Sequence, residues 1–255
     1  MAVLRELLAH LDDLLEPARF RDHGPNGLQV PPASGPDREV RTVVTAVSAD
    51  AAALTEAIAL GADLVLVHHG LFWEGDPRAL DAALAGRLRL LLGADVALAA
   101  YHLPLDGHPE LGNNARLAAE LGADSAPWAA SGSPAIGVVA RFPEPLALDE
   151  LTARVATTTG RDPLVLPGGD RSVSRLAIVS GAAASLLPAA AADGLDGLLT
   201  GEPREPTRAL AAEHGVHALC AGHHATETLG VRALGARLAE RFGVVHRFVD
   251  TGNPV

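Results

Sequence analysis

The stretch VRTVVTAVSADAAALTEAIALGADLVLVHHG, residues 40–70, decides the fold class. Its first part, 40–47, is rich in β-branched side chains and predicts a buried strand. A helix over about 50–60 and a second strand over 63–67, which runs directly into the pair His68-His69, complete a β-α-β unit. Such a unit joins parallel strands through a crossover helix, so the stretch predicts an α/β fold.

The alternation of strands and helices continues on both sides of this unit. An amphipathic helix over residues 3–15 precedes it. Further strands are predicted at 96–101, 137–142, 175–180, 195–200, 216–220 and 244–249, and further helices at about 78–93, 113–121, 148–158, 183–192, 206–213 and 225–241. The pattern predicts two α/β domains with mainly parallel sheets, residues 1–125 and 126–255, with the boundary in the small-residue stretch 123–136.

The two halves resemble each other in sequence. Residues 47–69 align with 179–202, and 96–106 with 216–227. In the second pairing each strand delivers a histidine that a carboxylate follows four residues later. An internal duplication explains this pattern, and chance similarity of Ala-rich sequence explains it equally well. A duplication would give two similar domains that face each other across one metal site in the cleft between them.

Charge and cysteine content restrict the class of protein. Twenty basic residues against 31 acidic ones give a formal charge of −11, which argues against a broad nucleic-acid or anionic-membrane surface. The single cysteine, Cys220, excludes an internal disulfide and is typical of a reducing cytoplasm. No apolar run approaches the ~20 residues that cross a bilayer, and the first helix is too charged for a signal peptide. We therefore expect a cytoplasmic protein.

Five of the 11 histidines fall at three predicted strand ends, 68/69, 102 and 223/224. Ligands of open α/β sheets bind at this carboxyl edge, which makes the clusters candidate metal ligands. Neighbouring strand residues point to opposite faces, but where the strand opens into a loop at Gly70 both histidines can turn toward one cleft. The competing interpretation of 68/69 is a turn with two solvated imidazoles.

Asp106 is the first candidate carboxylate. Pro104 and Pro109 flank it, which predicts a fixed loop rather than a helix. The competing role is that of a helix N-cap or turn residue. Asn113 or Asn114 can serve as that cap, which leaves Asp106 for a metal.

Glu227 is the second candidate carboxylate and lies four residues after His223, at the predicted start of a helix. Positions i and i+4 share one helical face with Cβ atoms ~6 Å apart, so both side chains can reach one ion. His224 is a rival to His223 on the same face. The competing interpretation is an exposed first-turn glutamate that interacts with the helix dipole.

His68, His69, one histidine of the pair 223/224, Asp106 and Glu227 together offer three imidazoles and two carboxylates. Such a set suits Zn, Mn, Fe, Co or Ni. It is too large for one catalytic zinc and suits two ions ~3.5–4 Å apart that Glu227 or a water bridges. His102 is nearby and not needed as a ligand, so it is the candidate catalytic residue that would orient or deprotonate that water. Phosphate-loop, dinucleotide-binding and serine-hydrolase motifs do not occur, and Cys220 is expected in the core.

A known family shares five stretches of this sequence. They are PNGLQV (25–30), GADLVLVHHGLFW (61–73), HLPLDGHPELGNNARLAAELG (102–122), LLTGE (198–202) and AGHHATE (221–227). At these residues the chain resembles the GTP cyclohydrolase 1 type 2 homologues, also called NIF-three-like dinuclear metal-centre proteins, and their bacterial branch in particular. The resemblance runs nearly end to end and is least distinctive over about 123–170.

The resemblance implies a toroidal homohexamer of α/β subunits with two divalent metal ions per chain. The family's ligands fall on His68, His69, Asp106, His223 and Glu227. One ion would take His69 and His223 and the other His68 and Asp106, with Glu227 shared. His224 is not a carried-over ligand. Ser48 stands where many relatives have Asp.

Three functions are compatible with this resemblance. The first is a metal-dependent hydrolase acting on a small, nucleotide-like substrate. The second is GTP cyclohydrolase-type ring opening, and the third is a non-catalytic metal-binding or protein-interaction hexamer. Arginines beside the metals, such as Arg116, Arg204 or Arg208, would favour a phosphate-bearing substrate.

Overall fold

A computed structural model describes residues 2–255. The chain folds into two compact units. Unit 1 comprises the residues up to Leu105 together with Gly230–Gly252. Unit 2 comprises Asp106–Leu229 and Asn253–Val255. Each unit has its own sheet, so the expected α/β class is confirmed.

The strands and helices follow the predicted alternation. The strands are β1 (Ala2–Val3), β2 (Gly27–Val30), β3 (Glu39–Val40), β4 (Thr42–Ser48), β5 (Leu64–His69), β6 (Ala97–Ala100), β7 (Asp124–Pro127), β8 (Val138–Leu146), β9 (Leu164–Leu166), β10 (Val173–Ile178), β11 (Gly197–Thr200), β12 (His217–Cys220) and β13 (Val245–Phe248). The α-helices are α1 (Leu4–Leu15), α2 (Ala51–Ala59), α3 (Ala82–Ala94), α4 (Leu103–Asp106), α5 (Asn113–Glu120), α6 (Leu148–Thr159), α7 (Leu187–Ala192), α8 (Thr207–His214), α9 (His223–Thr226) and α10 (Thr228–Phe242). Within residues 2–255, none of these helices is long and apolar enough to span a membrane.

Unit 1 is built on a five-stranded sheet in the order β13-β4-β5-β6-β2. The first four strands are parallel, and β2 is an antiparallel edge. The predicted β-α-β unit is present as β4-α2-β5, and Asp50 caps α2 by accepting a hydrogen bond from the Ala53 amide at 2.8 Å. Val44, Leu54 and Val65 are fully buried in its core, as expected for a strand covered on both faces.

Unit 2 is built on a six-stranded sheet in the order β7-β8-β10-β11-β12-β9. Its central strands β10, β11 and β12 are parallel, whereas β7, β8 and β9 add to the edges in antiparallel orientation. The short edge strands β7 and β9 were not predicted, because each has only a few residues and no clear alternation.

The division into units differs from the predicted boundary near residue 125. Strand β13 joins the first sheet because Val245–Phe248 pair in parallel with Thr42–Thr45 of β4. Conversely, Asp106 and the helix Asn113–Glu120 belong to unit 2. The apolar pattern of a strand predicts the strand but does not identify its partner, so a chain that returns to the first sheet escapes such a prediction.

The two sheets share a topology over four strands. The order β4-β5-β6-β2 in unit 1 corresponds to β10-β11-β12-β9 in unit 2, with three parallel strands and an antiparallel fourth in both. A four-residue helix follows the third strand in each, α4 after β6 and α9 after β12. This correspondence supports the internal duplication.

Candidate metal centre

His68 and His69 end strand β5, where four buried apolar residues lead into them. His68 is fully buried and His69 half-buried. Although neighbouring strand residues normally point to opposite faces, the two ring centroids are only 4.7 Å apart. The pair therefore forms one cluster at the carboxyl edge of the first sheet, as the sequence predicts.

Each of these two imidazoles is held through Nδ1. The Nδ1 of His68 lies 3.1 Å from the backbone carbonyl of Tyr101, which can only accept, so Nδ1 carries the proton and Nε2 the lone pair. The Nδ1 of His69 lies 3.1 Å from the Ser48 hydroxyl on the paired strand β4. Metal-binding histidines are held in this way, with one nitrogen on an oxygen and the other toward the ion.

His102 completes the group in unit 1. Its ring centroid lies 4.9 Å from that of His68 and 5.5 Å from that of His69. One ring nitrogen from each of the three lies within 4.8 Å of the others, so geometry alone makes His102 a candidate ligand as well as a candidate base. Its Nδ1 lies 2.7 Å from the carboxylate of Asp22, a residue that the sequence did not single out.

His223 and Glu227 form the group in unit 2. The Nε2 of His223 lies 3.2 Å from Oε1 of Glu227, and its Nδ1 is hydrogen-bonded to Glu202. Burial lowers the pKa of His223, but the hydrogen bonds and charges of Glu227 and Glu202 outweigh burial and raise the pKa to about 9. The two carboxylates therefore favour positive charge on the His223 ring.

The helical explanation for this pair was wrong in detail. His223 begins the four-residue helix α9, which ends at Thr226, and Glu227 separates it from α10 with φ −115° and ψ 4°. The two side chains still meet, because one turn of α9 lies between them. The competing role of Glu227 as an exposed first-turn residue is excluded, since it is 2% exposed.

Glu202 was missed in the sequence, although a signal was present. It closes LLTGE directly after the end of β11, and the alignment of the two halves places it opposite His69. It is thus a strand-end acid at the same edge as the other candidates. Its carboxylate holds His223 by Nδ1, as Ser48 holds His69.

Gly181 leaves room around the same two side chains. A Cβ atom added there would lie 2.7 Å from Oε1 of Glu227, closer than real Cβ atoms approach, and 3.1 Å from Nε2 of His223, which is also a tight contact. Gly181 has φ +66°, which also disfavours larger residues.

Asp106 is 6% exposed and lies in unit 2. Asn113 and Ser180 both donate to its Oδ1, at 2.8 and 3.2 Å, and fix the carboxylate. The expected loop was wrong: residues 103–106 form helix α4, because proline is tolerated in a first helical turn. Asn113 was also expected as an N-cap, but it supports Asp106 instead, and Gly112 occupies the cap position of α5.

His224 and Cys220, the remaining candidates, are both buried. The backbone N–H of His224 donates to the carbonyl of Val255 at 2.8 Å. Cys220 is in the core as expected, and burial raises the pKa of its thiol to about 11, so it stays protonated.

A cavity of about 350 Å³ opens in unit 2 beside Glu202. Arg161, Leu164, Pro203 and Cys220 contribute to its lining. The guanidinium of Arg161 donates to the carbonyl of Pro254, and its side chain packs on Gly222, next to His223. The arginines expected beside the site, Arg116, Arg204 and Arg208, are absent from the lining among the described residues.

The model of the family Duf34/NIF3 (NGG1p interacting factor 3) matches residues 2–254. The chain belongs to the DUF34/NIF3 family. It is 44% identical to a GTP cyclohydrolase 1 type 2 homolog of Allochromatium vinosum, covering 100% of this chain and 98% of that protein. The homolog of Escherichia coli K12 is 40% identical, with 98% of each chain covered. The resemblance recognised in the sequence is thus confirmed.

Solved DUF34/NIF3-like structures agree with this fold. Protein ybgI, described as of unknown function, superposes with a TM-score of 0.92 at 39% identity over 100% of both chains. TTHA1606 from Thermus thermophilus superposes with a TM-score of 0.89, also at 39% identity over 100% of both. HcgD from Methanocaldococcus jannaschii shares the fold at 21% identity, with a TM-score of 0.84 over 98% of each chain.

Proposed function

We propose that this chain binds two divalent transition-metal ions and hydrolyses a small, nucleotide-like substrate. The proposed metal ligands are His68, His69, Asp106, His223 and Glu227. The observation that carries the proposal is common to all three imidazoles: each has its Nδ1 hydrogen-bonded to an oxygen atom. Metal sites use this arrangement to fix the tautomer and to aim Nε2 at the ion.

The donor chemistry fits such ions. Imidazole nitrogens with carboxylate oxygens suit Zn, Mn, Fe, Co or Ni, and the thiol of Cys220 stays protonated and outside the set. In unit 2, a Cβ atom at position 181 would lie 2.7 Å from Glu227 Oε1 and 3.1 Å from His223 Nε2, so only glycine leaves these two donor atoms undisturbed. A pair of ions would supply Lewis-acid activation of water and of the substrate.

The protein's own residues have distinct roles in this proposal. Glu227 would be shared between the ions, and Glu202 and Ser48 orient the imidazoles that they contact. His102 lies within ring-contact distance of His68 and His69 and accepts the proton of the attacking water. The substrate occupies the cavity beside Glu202, whose 350 Å³ suit a small molecule and whose Arg161 suits an anionic group.

Ring opening of a GTP-like substrate is the second candidate activity. It is favoured by the name of the curated relatives, GTP cyclohydrolase 1 type 2 homolog. It would use the same ligands and the same base, since opening a purine ring also begins with attack of water on carbon. We further propose that the chain acts in the cytoplasm as a toroidal homohexamer, as the family resemblance implies.

A substrate screen tests the proposal. Purified protein loaded with zinc or manganese is incubated with nucleotides, phosphoesters, cyclic amides and GTP, and products are measured by mass spectrometry. We expect hydrolysis of one class, and its loss together with loss of metal in Glu227→Ala. Two bound ions without turnover on any class would favour a non-catalytic metal-binding hexamer, and retention of both ions by Glu227→Ala would contradict the shared ligand.

A further inference from the structure

The segment that leads into strand β2, together with the strand itself, contacts two loops that carry candidate residues. It contains PNGLQV, a stretch with no assigned role. The side-chain Oε1 of Gln29 accepts a hydrogen bond from the backbone N–H of Leu71 at 2.7 Å and so holds the loop that follows His69. Asn26 accepts the backbone N–H of His102 at 2.8 Å and donates its amide to Asp22 at 2.8 Å. The stretch therefore fixes His102 and Asp22 together.

Asp22 is a buried carboxylate whose oxygens are fully engaged. Its side chain is 3% exposed. Oδ1 lies 2.7 Å from both the His23 amide and Nδ1 of His102, and Oδ2 accepts from Asn26 at 2.8 Å and from the Leu103 amide at 3.0 Å. Burial raises the pKa of Asp22, but these hydrogen bonds outweigh it and lower the pKa to about 2.

The tautomer of His102 follows from this environment. An ionised carboxylate has no proton to donate, so Nδ1 of His102 must be the donor in their hydrogen bond. A neutral imidazole with its proton on Nδ1 carries its lone pair on Nε2. The ring is held in place on other sides by His68, at 4.9 Å between centroids, and by Trp73, edge-on at 5.2 Å.

We infer that Asp22 is the positioning residue that makes His102 a base beside the metal centre. The inference rests on the proposed hydrolase function. Nε2 of His102 takes one proton from water, and the hydroxide oxygen forms a bond to the electrophilic carbon or phosphorus of the substrate. The bond to the leaving group breaks, and the proton on Nε2 passes to that group. Asp22 stays ionised throughout and stabilises the transient imidazolium.

The hydrogen-bond partner of His102 differs from those of His68 and His69. Backbone carbonyl and hydroxyl partners hold His68 and His69, whereas His102 has a buried anion at 2.7 Å. His223 also has a carboxylate partner at Nδ1, that of Glu202, and its Nε2 lies 3.2 Å from Oε1 of Glu227.

The tautomer can be measured without any substrate. We would record ¹⁵N spectra of histidine-labelled protein, zinc-free and zinc-loaded, and assign His102 by the signal lost in His102→Gln. We expect a protonated Nδ1 and an acceptor Nε2 that does not acquire a zinc-coordinated shift. A proton on Nε2, or zinc coordination by Nε2, would overturn the inference. A variant is needed only to assign the His102 signal, and the tautomer itself is read in the wild-type protein.

Asp22→Asn tests the dependence on the carboxylate. The variant should move the His102 proton toward Nε2, keep the zinc content of the wild type and reduce turnover about 100-fold or more. Asp63→Asn is the matched control, because Asp63 also accepts backbone N–H groups in unit 1 but lies at the opposite end of the sheet. An unchanged His102 tautomer in Asp22→Asn, or loss of zinc from it, would contradict the positioning role.

The two proposals fail in different ways. If no substrate class is hydrolysed, the proposed function is contradicted, and the proton transfer with it. The assignment of Asp22 as the residue that sets the tautomer of His102 is decided by the spectra alone. If turnover exists and Asp22→Asn leaves it unchanged, the hydrolase survives and the inference about Asp22 does not.

Discussion

Ser48 and His69 are register partners on the parallel strands β4 and β5, and the Ser48 hydroxyl lies 3.1 Å from His69 Nδ1. Ser48 is the position where the family resemblance leads one to expect Asp. In this chain a neutral hydroxyl therefore contacts Nδ1 of the proposed ligand His69, where an Asp would supply a charged acceptor. A charge-assisted hydrogen bond is roughly twice as strong as a neutral one.

We therefore predict that Ser48→Asp binds zinc more tightly than the wild type and that Ser48→Ala binds it about 10-fold more weakly. Competition with a chromophoric chelator measures both affinities. Ser125→Ala, at an exposed position of β7, is the control and should match the wild type. Equal zinc affinity in the wild type, Ser48→Asp and Ser48→Ala would show that the hydroxyl does not support His69.

Gly181→Ala should abolish binding of the ion that His223 is proposed to hold, because the new Cβ would occupy the space at Glu227 Oε1 and His223 Nε2. Gly194→Ala is a close control, since Gly194 also has φ +66° but has no atom within 4 Å of the added Cβ. Both variants should lose about 1–2 kcal/mol of unfolding free energy from the left-handed backbone. Only Gly181→Ala should lose metal, as measured by elemental analysis. Full metal content in Gly181→Ala would mean that this gap is not part of the site.

Glu202→Gln should weaken zinc binding by about 10- to 100-fold, because it removes the anionic partner of His223 Nδ1. Glu205→Gln, three residues away on the exposed surface, should leave the affinity unchanged. Isothermal titration of the zinc-free proteins gives the comparison. An affinity equal to that of the wild type would limit Glu202 to lining the cavity.

His246 should make unit 1 less stable in mild acid. Burial lowers its pKa, as do the charges of Arg232 and Arg247, so the folded state favours the neutral ring that meets the Thr45 hydroxyl at 2.8 Å. A lowered folded pKa gives stability that is present above about pH 6.5 and is lost as the pH falls through the folded pKa. The free energy of unfolding, measured with urea at a series of pH values, should fall less steeply with decreasing pH in His246→Gln than in the wild type. The exposed His214→Gln should keep the slope, and a slope unchanged in His246→Gln would refute this origin.

The sequence predicted those parts of the fold that local patterns control. The strand-helix-strand stretch at residues 40–70 and the histidine pair at its end are present as expected, because β-branched runs and helical periodicity are local signals. The return of β13 to the first sheet was not predictable, since its partner β4 is about two hundred residues away in the chain. The short helix α4 was missed because proline was taken as a helix breaker.

Of the candidate site, only the proposed metal ligands and the proposed base could be predicted from the sequence. Residues 68, 69, 102, 106, 223 and 227 were identified from their positions after strands and from their types. Their supports, such as Asp22, Asn26 and Asn113, are polar residues in turns and helix starts, where many such residues occur with no function. Only the folded arrangement shows that they fix a neighbouring imidazole or carboxylate.

The central claim is that five side chains bind two ions in each chain. Anomalous diffraction from crystals of the zinc-loaded protein, measured at the zinc edge, tests it most directly. We predict two peaks per chain, about 3.5–4 Å apart, in contact with His68, His69, Asp106, His223 and Glu227. A single peak, or a peak whose ligands include His102 in place of one of these five residues, would contradict the account.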